Sequence, residues 1–191
     1  MLCSRTGWPG IAIIALMATI TVVPRIAAGN GVDVAPDVAV KAAFLYNFAK
    51  FAEWPALTPD APLGVCIVGD QRIADALAEA GRGQSIGGRR LDVAQPQDTT
   101  SWRACHLLFI ADAETERSAG ELREIKTLPI LTVSDGKGFS QGGGIIEFYI
   151  EGGRMRFAIN VDAADRSTLR LSSRLLGLAK IIRGGHLPMP E

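Results

Sequence analysis

The residues of this chain able to do chemistry are few and poorly assembled. Three Cys and two His leave little material for a metal centre. Cys105 and His106 are neighbours on an apparent strand, so they point to opposite faces and cannot share a metal there. His186 sits in a Gly/Pro-rich tail with no partner spacing around it. No GxSxG elbow and no phosphate-binding P-loop occurs. Gly81-Arg82-Gly83-Gln84-Ser85-Ile86-Gly87 comes close to a dinucleotide fingerprint, but its spacing is off and it follows a helix where a strand is required. It reads as a loop. The expectation is a protein that is not an enzyme, with no catalytic residue, no cofactor and no metal. The remaining constellation is basic. Arg166, Arg170 and Arg174 recur at four-residue spacing, and on one continuous helix they form a stripe for an anion or an acidic partner. Leu169-Arg170-Leu171 also alternates like a short strand, which breaks the stripe into solvated surface charges. Arg154, in a hairpin turn, is a fourth candidate for the same role.

The elements that must position these residues belong to an ordinary globular chain. It has 191 residues, 48% apolar and 21% charged. That length and balance suit one compact domain with a short extra segment and exclude disordered and fibrous classes. Twenty basic residues against twenty acidic ones give no surplus for a phosphate backbone, so nucleic acid is not an expected partner.

Residues 1–28 contain Arg5 and Arg25 and no acid. Ile11-Ala12-Ile13-Ile14-Ala15-Leu16-Met17-Ala18 opens an apolar run that reaches Val23, Pro24 ends it, and Ala27, Ala28 and Gly29 follow. A charged start, a short apolar centre and a small-residue site make a secretory signal, with cleavage near Ala28. The rival reading is a retained membrane anchor, for which the run is short against the roughly 20 residues of a span. Cys3 precedes the run and reads as incidental. Residues 29–36 form a short flexible lead, 37–183 the domain, and 184–191 a tail.

An exported chain then keeps Cys66 and Cys105, and two cysteines in an oxidising compartment suggest a disulfide. Both lie in or beside apparent strands, and adjacent strands bring them within bonding distance. Closing the loop between them stabilises by about 4 kcal/mol on the chain-entropy model. The alternative is a pair of buried thiols packed as small hydrophobes.

Along the domain, residues 37–54 read as a helix with Val40, Phe44, Phe48 and Phe51 at helical spacing. Asn47 near that stripe requires a hydrogen-bond partner if buried. So much apolar surface suggests contact on two sides, and Phe44, Tyr46, Phe48, Phe51 and Trp54 are the candidate partner-binding residues. Strands are read at 63–68, 90–94, 106–110, 130–133, 145–150 and 155–160, the last two joined as a hairpin by Glu151-Gly152-Gly153-Arg154. Helices are read at 72–80 and 115–126, the second with Leu122 and Ile125 inward. A final helix runs from an N-cap at Ser172, with Leu175, Leu176, Leu178, Ala179 and Ile182 as its stripe. The fold class is α/β: a single domain with a mixed β-sheet of about five to six strands, flanked by helices on both faces.

Several segments in order resemble a known family. Val40-Lys41-Ala42-Ala43-Phe44-Leu45-Tyr46-Asn47-Phe48-Ala49-Lys50-Phe51-Ala52-Glu53-Trp54-Pro55 is similar to the opening helix of the YfiR-like family of periplasmic regulatory proteins. Cys105-His106-Leu107-Leu108-Phe109-Ile110 resembles its Cys-His strand. Leu131-Thr132-Val133-Ser134-Asp135 with Gly138-Phe139 and Gly142-Gly143, then Arg154-Met155-Arg156-Phe157-Ala158-Ile159-Asn160, then Leu171-Ser172-Ser173-Arg174-Leu175-Leu176-Gly177-Leu178-Ala179 match the later blocks. The resemblance covers 37–183. It implies a periplasmic regulator that binds and represses the periplasmic sensor region of an inner-membrane signalling protein. That protein is foremost a diguanylate cyclase, so that cyclic di-GMP and biofilm formation fall. It also implies an outer-membrane lipoprotein that sequesters the regulator, a homodimer, and a family disulfide that carries over to Cys66 and Cys105. A second disulfide of some members has no counterpart here. An alternative is a periplasmic small-ligand binding accessory protein of a receptor or transporter, with its site at the Gly-rich 136–144 loop beside the hairpin.

Overall fold

Alternating apolar runs and amphipathic segments dictate strands buried between helices, and the computed structural model has that order. It describes residues 36–184 apart from Ala56 and Pro59. The expected leader at 1–28, nearly all of the 29–36 lead and the tail after Gly184 lie outside the described residues, as do Cys3 and His186.

Helix α1 (Pro36–Phe51) starts on a proline, whose missing N–H costs nothing in a first turn. It stops three residues earlier than its apolar pattern suggests. Ala52–Glu53 (β1) leaves the helix to pair antiparallel with Arg170–Leu171 (β9), and Ser172 N–H donates to the Phe51 carbonyl at 2.9 Å. Next come β2 (Leu63–Val68), α2 (Gln71–Gly81), β3 (Ser85–Ile86) and β4 (Arg89–Ala94). Asp70 caps α2 through its side chain, accepting from Arg72 and Ile73 N–H. A 3₁₀ turn (Thr99–Ala104) leads into β5 (Leu107–Ile110).

The helix read at 115–126 is two pieces, α3 (Asp112–Thr115) and α4 (Ala119–Ile125). Ser118 stands at the break, buried, its N–H on the Glu114 carbonyl at 2.9 Å. Leu122 and Ile125 do face inward. Then follow β6 (Leu131–Ser134), the hairpin β7 (Ile146–Glu151) and β8 (Arg154–Asn160), and α5 (Val161–Arg166). The reading of a long last helix is overturned. Only α6 (Ser173–Leu176) is helical, capped as foreseen by the Ser172 hydroxyl on Leu175 N–H, and Lys180–Ile182 is a strand, β10, parallel to β8. Gly177 lets the helix stop, and the open edge of β8 takes up Ile181 and Ile182, whose β-branched chains suit it.

The main sheet has eight strands in the order β10-β8-β7-β6-β5-β2-β4-β3. It is larger than the five to six strands expected because β3 and β10, at its two edges, are too short to show as apolar runs. β4, β2, β5, β6 and β7 are mutually parallel, β8 is antiparallel to β7, and β3 to β4. Side chains on one face (Leu63, Val65, Ile67, Leu107, Phe109) pack with α1 and α2. Those on the other (Cys66, Leu108, Ile110) pack with Trp102, Leu122, Ile125 and Phe139. The sheet is therefore mixed and covered on both faces, the α/β class read from the sequence. Cys66 in β2 and Cys105, just before the neighbouring β5, are joined sulfur to sulfur, with Cα atoms 5.8 Å apart.

Candidate functional site

In a parallel sheet of this winding, ligands usually enter where β2 and β5 diverge at their carboxyl ends. Here that crevice is filled. A methyl group on Gly69, which follows β2, would stand 2.7 Å from the Glu114 side chain and 3.0 Å from Ala111. Concave surface is found instead beside it, between the start of α1 and the β7–β8 hairpin. This groove holds about 470 Å³ and is lined by Asp37 and Lys41 of α1, Lys137, and Tyr149, Ile150 and Met155 of the hairpin.

One charged clamp fixes the groove wall. Lys41 Nζ donates to Asp135 Oδ2 at 2.5 Å, and Asp112 N–H donates to the other oxygen at 2.7 Å. Asp135 follows β6 directly, so a single carboxylate ties α1, the start of α3 and the carboxyl end of a central strand. Asp37 and Lys41 lie one helical turn apart and share a face, which the sequence pattern alone assigns to solvent. On the hairpin side the groove is lined by Phe148, Tyr149, Ile150 and Met155. Ile150 is 66% exposed near the hairpin tip.

The candidate partner-binding residues divide sharply. Phe48 is fully buried, its ring 5.6 Å from Phe148 and 5.0 Å from Phe157. Trp54 is also buried, and its indole N–H donates to the His106 carbonyl at 3.1 Å. Both rings are consumed by the core. Phe44, Tyr46 and Phe51 are half-buried against the same core. Asn47 is exposed and donates to the Ala43 carbonyl at 2.8 Å, so its position beside the stripe needs no buried partner.

The basic stripe does not form on one helix. Arg166 ends α5, Arg170 stands in β9 opposite Glu53, and Arg174 lies in α6; all three are exposed. The strand-like alternation at 169–171 prevailed over helical spacing. Arg154 is exposed at the hairpin, paired in register with Glu151.

The Gly-rich 136–144 loop is not an open cradle. Glu147, buried in β7, accepts from Gly138 N–H and Ser140 N–H at 2.9 Å and from the Ser140 hydroxyl at 2.6 Å. Gly136 N–H is taken by the Ser134 hydroxyl, and Gly142, Gly143 and Gly144 N–H by carbonyls of the loop itself. Its amides are spent inside the fold, which removes the loop as an anion nest.

His106 is half-buried and equally committed. Its Nδ1 accepts from Gly64 N–H at 3.0 Å, while the His106 backbone N–H donates to the Gly64 carbonyl at 2.8 Å. Burial, with the nearby Arg89 guanidinium, pushes the imidazole below its ordinary pKa. Among the described residues no group of three or more His, Cys, Asp or Glu is placed to hold a metal ion.

Residues 38–180, which span α1 to the start of β10, match the protein family described as YfiR/HmsC-like. This chain belongs to that family. The YfiR/HmsC-like proteins are, at family level, periplasmic regulators acting in the diguanylate cyclase pathway. Among solved structures, a crystal structure of a conserved domain protein from Vibrio cholerae O1 biovar El Tor strain N16961 is similar, with a TM-score of 0.45 and 11% identity. The similarity covers 75% of this chain and 59% of that one. Among the described residues of this YfiR/HmsC-like chain, no helix is long and apolar enough to cross a membrane.

Proposed function

We propose that this protein is an exported regulator that docks its α1–hairpin groove on the periplasmic sensor region of an inner-membrane signalling protein, a diguanylate cyclase first among these, and holds it inactive. Cyclic di-GMP and biofilm formation fall as a result, and the regulator itself performs no catalysis. The observation that carries this reading is a groove with an apolar lip, Ile150 and Met155, over a wall held rigid by the Lys41–Asp135 clamp. An apolar anchor on a preformed support is what a tight protein contact requires, whereas exposed rim charges mainly steer the encounter.

Repression follows as population shift. To move a receptor from 1:99 to 99:1 in favour of its inactive shape, the regulator must prefer that shape by about 5.5 kcal/mol. A few buried anchors supply such a difference. Lys137 and Asp37 at the rim then set orientation and salt dependence. A homodimer, and release by an outer-membrane lipoprotein that takes the regulator away, complete the proposed circuit.

The test is a binding titration of the purified protein against the periplasmic domain of an inner-membrane diguanylate cyclase from the same organism. A complex at micromolar concentration or tighter is expected, weakened at least tenfold by Ile150→Glu. A titration with no complex, or one indifferent to Ile150→Glu and Met155→Glu together, overturns the assignment of the groove.

A further inference from the structure

The β10 edge of the sheet carries a surface of another kind. Between α6 and β10 the chain turns through Gly177-Leu178-Ala179, a place where small polar residues are the rule. Leu178 is 74% exposed, the most of any large apolar side chain among the described residues, and Ile181 in β10 is 41% exposed. Neither lines the groove of the repressor reading.

The charges around them are unbalanced. From Arg166 to Gly184 the sequence holds Arg166, Arg170, Arg174, Lys180 and Arg183 and no acid. α5 packs on both β9 and β10, so the elements bearing these five residues form one region. Arg174 lies four residues before Leu178 and makes no ion pair among the described residues. Lys180 is exposed, its Nζ over the Tyr149 ring at 5.9 Å from the centroid. The acids on these elements and on β1 are Asp162, Asp165 and Glu53. Asp162 accepts from Gly184 N–H at 2.6 Å and lies 3.9 Å from Arg183, while Glu53 stands opposite Arg170 in the β1–β9 register. Five cations against three acids leave the region positive, and Arg174 and Lys180, the two nearest Leu178 in sequence, have no acid set against them.

One exposed leucine is ordinary. Two large aliphatic side chains set among uncompensated cations have the composition that enters the head-group zone of an anionic bilayer: the apolar groups leave water there and the cations meet lipid phosphate. A protein fits this edge less well. β10 offers a ladder of only three residues, and a second copy paired on it two-fold sets Lys180 and Arg183 against their own duplicates.

We propose that the α6–β10 corner binds an anionic phospholipid surface, with Leu178 and Ile181 among the head groups and Arg174, Lys180 and Arg183 on their phosphates. Members of the family are periplasmic, in a compartment bounded by bilayers. The site is separate from the α1–hairpin groove and stands whether or not the repressor reading holds.

Sedimentation with vesicles tests it, using phosphatidylcholine alone and phosphatidylcholine with about one-third phosphatidylglycerol, the composition that supplies the negative surface potential. The protein is expected to sediment with the mixed vesicles at low salt, to be released at high salt, and to bind phosphatidylcholine alone at least about tenfold more weakly. Leu178→Ser is expected to weaken binding to the mixed vesicles about tenfold, the loss from one inserted leucine, and Arg174→Gln about fivefold. Both side chains are exposed, so Tm is expected to stay unchanged in each variant. Mixed vesicles that bring down no protein overturn the proposal, as does equal binding to phosphatidylcholine alone. So does binding left intact by Leu178→Ser with Ile181→Ser, which places the contact elsewhere on the chain. Polyglutamate bound as tightly as the mixed vesicles assigns the surface to an acidic protein, and a dimer split by Leu178→Glu in light scattering assigns it to a second copy; either result overturns the proposal.

Discussion

Lys41 and Asp135 are 94 residues apart in sequence, and their charged groups meet at 2.5 Å, with side chains only 15% and 22% exposed. Because Asp135 also receives Asp112 N–H, the two substitutions are not equivalent. Asp135→Ala removes the ion pair and the acceptor together and is expected to cost about 2–3 kcal/mol, while Asp135→Asn keeps an acceptor and costs about 1 kcal/mol. Urea unfolding of the two variants and of Lys41→Met measures this. Equal and negligible losses would show that the clamp is not structural.

The Cys66–Cys105 bond closes a loop of 39 residues between adjacent strands. Cys66→Ser with Cys105→Ser is expected to lose about 4 kcal/mol on the chain-entropy model. Unfolding with and without reductant gives the same quantity on the unmodified protein. A thiol assay on denatured, unreduced material is expected to find neither of these two sulfurs reactive; two reactive thiols from these positions refute the bond.

His106 gives a pH dependence whose direction is fixed by its environment. The imidazole is held below its ordinary value of 6.5, first by burial and then by Arg89, and its Nδ1 is occupied by Gly64 N–H. The unfolded chain therefore takes up the proton before the folded one. The stabilisation is fully present above pH 6.5 and is lost as pH falls from there through the lower folded value. Unfolding free energies between pH 8 and pH 5 are expected to decline at the acid end, and His106→Gln is expected to flatten the decline while lowering stability throughout. A decline unchanged in that variant assigns it elsewhere.

Phe48 and Ile150 were both legible as apolar, but with opposite fates. Phe48→Ala, which empties a site between Phe148 and Phe157, is expected to cost about 3–5 kcal/mol. Ile150→Glu, at a side chain 66% exposed, is expected to change stability by no more than about 0.5 kcal/mol. Thermal or urea unfolding separates the two, and a large loss for Ile150→Glu means its exposure does not persist in solution.

The same pair explains what a sequence conveys here. The runs at 63–68, 106–110 and 130–133 are apolar at every position because both faces are covered, and that pattern is readable without knowing the neighbours. The hairpin is written in its Gly152-Gly153 turn, where both residues take positive φ. β10 was hidden because Lys180–Ile182 continues a helical stripe as well as it forms a strand. Only the open edge of β8, a tertiary fact, decides between them. Phe48 and Trp54 looked like surface anchors because helical spacing shows which residues share a face and not how deep that face lies. The Lys41–Asp135 clamp left no trace in spacing at all, since it joins elements far apart in the chain. Commitment of the glycine loop to Glu147 was equally invisible: glycine repeats look alike whether their amides are free or spent.

The aromatic face of α1 has a consequence for biosynthesis. Phe44 and Phe48 are made first, yet the rings they pack on, Phe148 and Phe157, belong to the last third of the chain. Until the hairpin leaves the ribosome that oily strip has nothing native to cover it. A nascent chain cut short before Phe148 is thus a sticky fragment rather than a smaller folded protein, and whatever escorts the emerging polypeptide must shield its first helix until nearly the end of translation.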